Sequence, residues 1–117
     1  MPAFTKIGPD LDGKAAGDRY GLSTCISSDG SFFAVGAPLN NDNGADAGQV
    51  RVSKFKSFAD GYTQVGNAIG GEGIFDRFGS SVSMSSDGKT LVVGAYRNDG
   101  AGNDAGHVRV YKSPSDN

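Results

Sequence analysis

Tryptophan is absent from this 117-residue chain, and cysteine and histidine occur once each, as Cys25 and His107. A single cysteine excludes an intramolecular disulfide, so the fold must hold without that staple. Cys25 lies in an apolar-polar alternation and reads as an inert sheet residue. A single histidine excludes a histidine-based catalytic triad or a multi-histidine metal site within one chain. Long apolar runs are missing as well. The longest is Phe32-Phe33-Ala34-Val35, which excludes a membrane-spanning helix of about 20 apolar residues and argues against a helical bundle. A net charge of -2 and a pI near 5.1 leave no basic footprint for nucleic acid or an anionic membrane. The first residues, Met1-Pro2-Ala3-Phe4-Thr5-Lys6, have neither the basic region nor the apolar stretch of a signal peptide. At 12.0 kDa there is room for one small domain and not for two independent ones.

What is abundant is glycine, at 19 of 117 positions, more than twice the usual ~7%. Sliding the sequence against itself shows why, because it repeats without a gap at a period of about 58 residues. Asp18-Arg19-Tyr20-Gly21 returns as Asp76-Arg77-Phe78-Gly79, and Ser27-Ser28-Asp29-Gly30 as Ser85-Ser86-Asp87-Gly88. Val35-Gly36-Ala37 returns as Val93-Gly94-Ala95. Asp46-Ala47-Gly48 with Val50-Arg51-Val52 returns as Asp104-Ala105-Gly106 with Val108-Arg109-Val110. Even Phe4-Thr5-Lys6-Ile7-Gly8 has its echo in Tyr62-Thr63-Gln64-Val65-Gly66. The chain, 1–117, is one segment of two repeats, approximately 3–60 and 61–117.

Within a copy, short alternating or β-branched runs are separated by glycine, asparagine and aspartate clusters, which predicts strands and turns rather than helices. Four strands are expected per copy: a over 20–27 and 78–85, b over 31–37 and 89–95, c over 48–54 and 106–112, and d over 3–8 and 61–66. Asp29-Gly30 and Asp87-Gly88 make tight a-to-b turns. In strand c, Val50 and Val52 face one way and Gln49, Arg51 and Ser53 the other. Four antiparallel strands in a repeat of this length are the signature of a β-propeller blade. A β-sandwich of both copies matches the strand count but leaves the gapless, glycine-retaining period unexplained.

The order of motifs, aromatic-Gly (Tyr20-Gly21, Phe78-Gly79), Ser-Asp-Gly, Val-Gly-Ala-Pro (Val35-Gly36-Ala37-Pro38, with Tyr96 in place of the proline in copy two) and Gly-x-Val-x-Val, resembles FG-GAP repeats. The resemblance covers nearly the whole chain and implies the propeller of integrin α-subunits and of many secreted or surface proteins. It therefore implies an extracellular or cell-surface setting. Calcium-binding members carry Asp-x-Asp-x-Asp-Gly-x-x-Asp in the a-to-b turn. The matching positions are Cys25, Ser27, Asp29, Gly30 and Phe33 in copy one, and Ser83, Ser85, Asp87, Gly88 and Leu91 in copy two. One carboxylate per turn cannot offset the dehydration of Ca²⁺, so the turn reads as structural, with no metal and no cofactor expected.

The polar b-to-c links, Asn40 to Asp46 and Asn98 to Asp104, share an end of the fold with the d-to-a links, because consecutive strands run antiparallel. The candidate ligand-binding residues are Asn40, Asp42, Asp46, Asn98, Asp99 and Asp104, aided by Arg19, Arg77 and Tyr96 together with Tyr20 and Phe78. The competing reading is self-capping turns that supply solubility, with Asp46 and Asp104 bonding backbone amides of their own loops. No catalytic residue is assigned. His107 has Gln49 as its counterpart, and the carboxylate pairs Asp42 with Asp46 and Asp99 with Asp104 sit on loops without an apolar pocket to separate their pKa values. Gly66 through Gly73 leads into no helix and carries no Lys-Ser/Thr pair, so it is not a phosphate cradle.

The expected function is a non-catalytic binding or adhesion propeller module, with a lectin-like reading included, taking a glycan or protein on the long-loop face. The alternative is a structural repeat or self-assembling scaffold module, a fragment of a larger surface protein without its own ligand. Propellers close with about four to eight blades, so two blades per chain call for a homotrimer, or second a homotetramer. Seven blades are unreachable from identical two-blade units. The outer blade faces, lined by Val50, Val52, Val92 and Ile26, would otherwise be open to water. The expected closure is in trans, with strand d of one protomer, residues 3–8, pairing beside residues 106–112 of a neighbour.

Overall fold

The computed structural model describes residues 3–113. It is all-β, with two antiparallel sheets and no helix among the described residues. The strands are β1 (Ser23–Ile26), β2 (Phe32–Ala37), β3 (Gln49–Ser57), β4 (Gly61–Gln64), β5 (Ile69–Gly70), β6 (Ser81–Met84), β7 (Thr90–Ala95) and β8 (His107–Lys112). The first sheet is the meander β1-β2-β3-β4, with β5 continuing along the same partner strand β3; the second is β6-β7-β8. Strands a, b, c and the second d thus fall where the periodicity puts them. Strand a begins three residues later than expected, because Asp18 to Leu22 form a corner. Strand c extends to Ser57, strand d ends at Gln64, and β5 lies beyond its expected bounds.

Residues 3–8 form no strand, contrary to expectation. Among the described residues their backbone anchor is the amide of Gly8 on the Phe58 carbonyl, at 3.1 Å, and Gly8 lies against Gly61 at the start of β4 without a ladder forming. Phe4 is consequently fully exposed.

The a-to-b turns repeat one design. Gly30 (φ 78°) and Gly88 (φ 74°) take left-handed backbone that a side chain would strain. The Asp29 and Asp87 carboxylates accept from the amides of Ser31 and Lys89 at 2.9 Å, and the hydroxyls of Ser27 and Ser85 donate to them. These bonds hold both carboxyls below the usual aspartate range, the Ser31 amide being the main cause at Asp29 and the Ser85 hydroxyl at Asp87.

Cross-strand registers place Ser23, Cys25, Ala34, Gly36, Val50 and Val52 on one face of the first sheet. That face packs on the Val82, Met84, Leu91, Val93 and Ala95 face of the second, with Phe78 from the intervening corner in the same core. Val50 is therefore fully buried and Val52 half-buried against the core, rather than lining an outer face. Val92 and Ile26 do lie outside. Burial raises the Cys25 thiol above its ordinary value, in keeping with an inert sheet residue. The sheets touch backbone to backbone at Gly36, where an added Cβ would sit 2.0 Å from the Gly79 carbonyl oxygen. Beside it the Ser23 hydroxyl donates to that same oxygen at 2.7 Å. At the turn end, Ser28 donates its amide to the carbonyl of Ser86, its own repeat counterpart, at 2.8 Å.

Candidate functional site

The polar links gather at the end of the sheets opposite the turns. The first b-to-c loop is stitched to the link between the sheets: Phe75, Arg77 and Phe78 donate their amides to the carbonyls of Ala45, Asp46 and Ala47. Each copy builds its corner on a buried aspartate. Asp18 accepts from the Asn40 amide at 2.8 Å, and Asp76 from the Asn98 amide at 2.9 Å. The side-chain oxygens of those asparagines accept from the amides of Asp42 and Gly100. Asn40 and Asn98 thus lie inside, clamping loop to corner, with their hydrogen-bonding capacity used within the chain.

Asp46 and Asp104 adopt left-handed backbone, with φ 50° and 54°, and their bonding runs opposite to expectation. Their amides are the donors, to the side-chain oxygens of Asn41 and Asp99 at 2.8 and 2.7 Å, because the loop reverses so tightly that each amide turns inward. The Asp99 carboxylate is held by that contact. Asp104 also faces Arg97 at 3.5 Å. Asp42 accepts from Lys14 at 2.6 Å and from Gln49 at 3.1 Å, and the Lys14 bond chiefly keeps its carboxyl below the ordinary range.

Arg19, Arg77 and Tyr96 are brought together. Both arginines sit in left-handed backbone (φ 61° and 59°), which turns each away from the strand that follows. Arg77 Nη1 donates to the Tyr96 hydroxyl at 3.2 Å, while its Nε is buried with no partner. With Leu22, Pro38 and Ser80, these three line a cavity of about 180 Å³. That is smaller than the ~300 Å³ of an enclosing ligand pocket, and its size suits a contact point on a binding face. Of the two aromatics named with them, Phe78 is buried in the core. Tyr20 lies under the Arg51 guanidinium at 4.8 Å, and its burial raises its hydroxyl pKa.

A charged pair of positions escaped the sequence reading. Glu72 accepts from Asn98 and Arg109, both at 2.7 Å, and faces His107 at 3.6 Å. The Asn98 bond first, then Arg109 and His107, hold its carboxyl below the usual range. Its repeat counterpart is Lys14, so the same place carries opposite charges in the two copies. Aligning residue 14 with residue 72 shows the reversal, but only the fold shows that both reach the b-to-c loop.

The class is therefore an all-β repeat protein of stacked antiparallel sheets with polar loops gathered at one end. A family model described as FG-GAP repeat matches residues 73–111, which form the second copy's motif run. The first copy carries the same motif order at the equivalent positions. No curated protein matches the chain.

Proposed function

We propose that the protein is a non-catalytic binding module, with two propeller blades per chain and its ligand contacts on the loop end. The observation that carries this reading is the convergence of Arg19, Arg77 and Tyr96 on one cavity at the loop end. Guanidinium forks and a phenol favour a carboxylate-bearing glycan or peptide over a neutral apolar ligand. Glycan and acidic-peptide arrays test it. Reproducible binding should weaken about tenfold with Arg77→Asn, asparagine being able to hold the left-handed backbone, and less with Tyr96→Phe.

The second reading, a scaffold module without its own ligand, is favoured by Asn40 and Asn98 being engaged in holding their loops. Silence across both arrays at high protein concentration decides for it. Under either reading the two sheets serve as two blades of a homotrimeric ring, a homotetramer being second. Size exclusion with light scattering should report about three times the 12.0 kDa chain mass.

A further inference from the structure

The sheet-to-sheet interface inside the chain specifies a second one outside it. The face of the second sheet that points away from the first carries Ser81, Ser83, Val92, Gly94, Val108 and Val110. By the repeat these are the counterparts of Ser23, Cys25, Ala34, Gly36, Val50 and Val52, the face that the first sheet buries. Val50 is fully buried, whereas Val108 and Val110 are 62% and 60% exposed. At the opposite end of the stack Ile26, counterpart of the packed Met84, is 58% exposed. Val35 and Ala37 on the Ile26 face are already buried within the chain, so that face is open at its Ile26 end. This end and the open Val108 face match the two halves of an interface the chain already makes, which is the condition for head-to-tail addition of identical copies.

A cavity of about 480 Å³ lies on the other, inner face of the second sheet. It opens between the sheets beside β8, which pairs with β7 alone among the described residues, and Gly88, Leu91 and Tyr111 are among its walls. In the first sheet the corresponding space is filled by Tyr62. Its ring packs edge-on against Phe33 at 4.7 Å and its hydroxyl donates to the Gly30 carbonyl at 2.6 Å. Phe33 and Gly30 are the counterparts of Leu91 and Gly88, and the counterpart of Tyr62 is Phe4. The chain's own Phe4 is on the wrong side. The link 71–76 carries the chain from the edge of the first sheet to the sheet stacked on its Val50 face. The equivalent link 13–18 must therefore arrive from a sheet on the opposite face, where this chain has none.

We infer that the open face and the cavity form one docking site for a second copy of this chain. The Ile26 face of the incoming copy lies on Val92, Val108 and Val110, and its residues 3–8 pair with β8 so that Phe4 enters the cavity. This rests on the ring proposed above and names the surface that closes it. The register Lys54↔Thr63, carried over one repeat, sets Thr5 of the incoming copy opposite Lys112.

The test uses the full chain with Cys25→Ser, the residue found at the equivalent position 83, and adds Thr5→Cys and Lys112→Cys. Oxidation or a short bismaleimide should give covalent multimers on non-reducing gels, absent from either single-cysteine chain. Phe4→Glu, at a position fully exposed within the chain, should leave the circular dichroism unchanged while shifting the light-scattering mass to one chain. Cross-linking only within a monomer, or a Phe4→Glu chain that keeps the wild-type mass, overturns the docking site. Cross-linked multimers at a mass of four chains keep the docking site and reject the trimer. A trimer without the cross-link keeps the ring and rejects the site.

Discussion

Val50 and Val108 are the same residue type at the same place in the two copies, yet only the first is buried. Truncating Val50 to alanine removes two methyl-sized groups, at about 0.8 kcal/mol each. The resulting hole is bounded by Ala34, Phe78 and Val93 and by the close backbone of Gly79, whose added Cβ would sit 3.0 Å from a Val50 methyl. Backbone on that side resists collapse, so a cavity contribution adds to the transfer loss and brings the cost to about 2 kcal/mol. Val108→Ala in the same monomeric background, set by Phe4→Glu, should stay within about 0.5 kcal/mol. Urea titrations followed by circular dichroism read the difference as a lower midpoint at unchanged slope for Val50→Ala alone. Equal costs at the two positions would refute the assignment of one face as core and its counterpart as open. In the wild-type background, Val108→Ala should weaken assembly.

Asn98→Ala strips the buried Asp76 carboxylate of a donor and the Gly100 amide of its acceptor, so urea midpoints should report a loss of about 2–3 kcal/mol. A neutral outcome would mean that the corner is not held by this clamp. The Asp29 and Asp87 carboxyls are lowered in the folded chain. Their contribution is fully present above the unfolded aspartate value and disappears as pH falls through the folded one. Stability should thus decline on acidification below about pH 4, and the decline should be shallower in the Asp29→Asn, Asp87→Asn chain; identical pH profiles would show that the turns do not couple to folding. Melting temperatures with chelator and with added Ca²⁺ should coincide within about two degrees, since Ser27 and Ser85 stand where the calcium turn needs carboxylates; a large upward shift with calcium would reveal a cation site in the loops.

The repeat by itself determined the strands, because alternating β-branched residues between Asp-Gly turns have one low-energy local form and a gapless period demands that both copies take it. It also picked out the loop end and three residues, Arg19, Arg77 and Tyr96, that converge there. Which face of each strand is core was beyond it. Val50 and Val108 stand in the same local sequence, and only the stacking of one sheet on the other buries the first and leaves the second open. The same holds for Asn40 and Asn98, whose composition suits ligand contact or loop clamping equally until Asp18 and Asp76, each 22 residues away, take their amides. Residues 3–8 resemble Tyr62 to Gly66 in pattern yet form no strand, because a strand exists only where its backbone pairs with another, and that pairing is not set by the segment's own pattern.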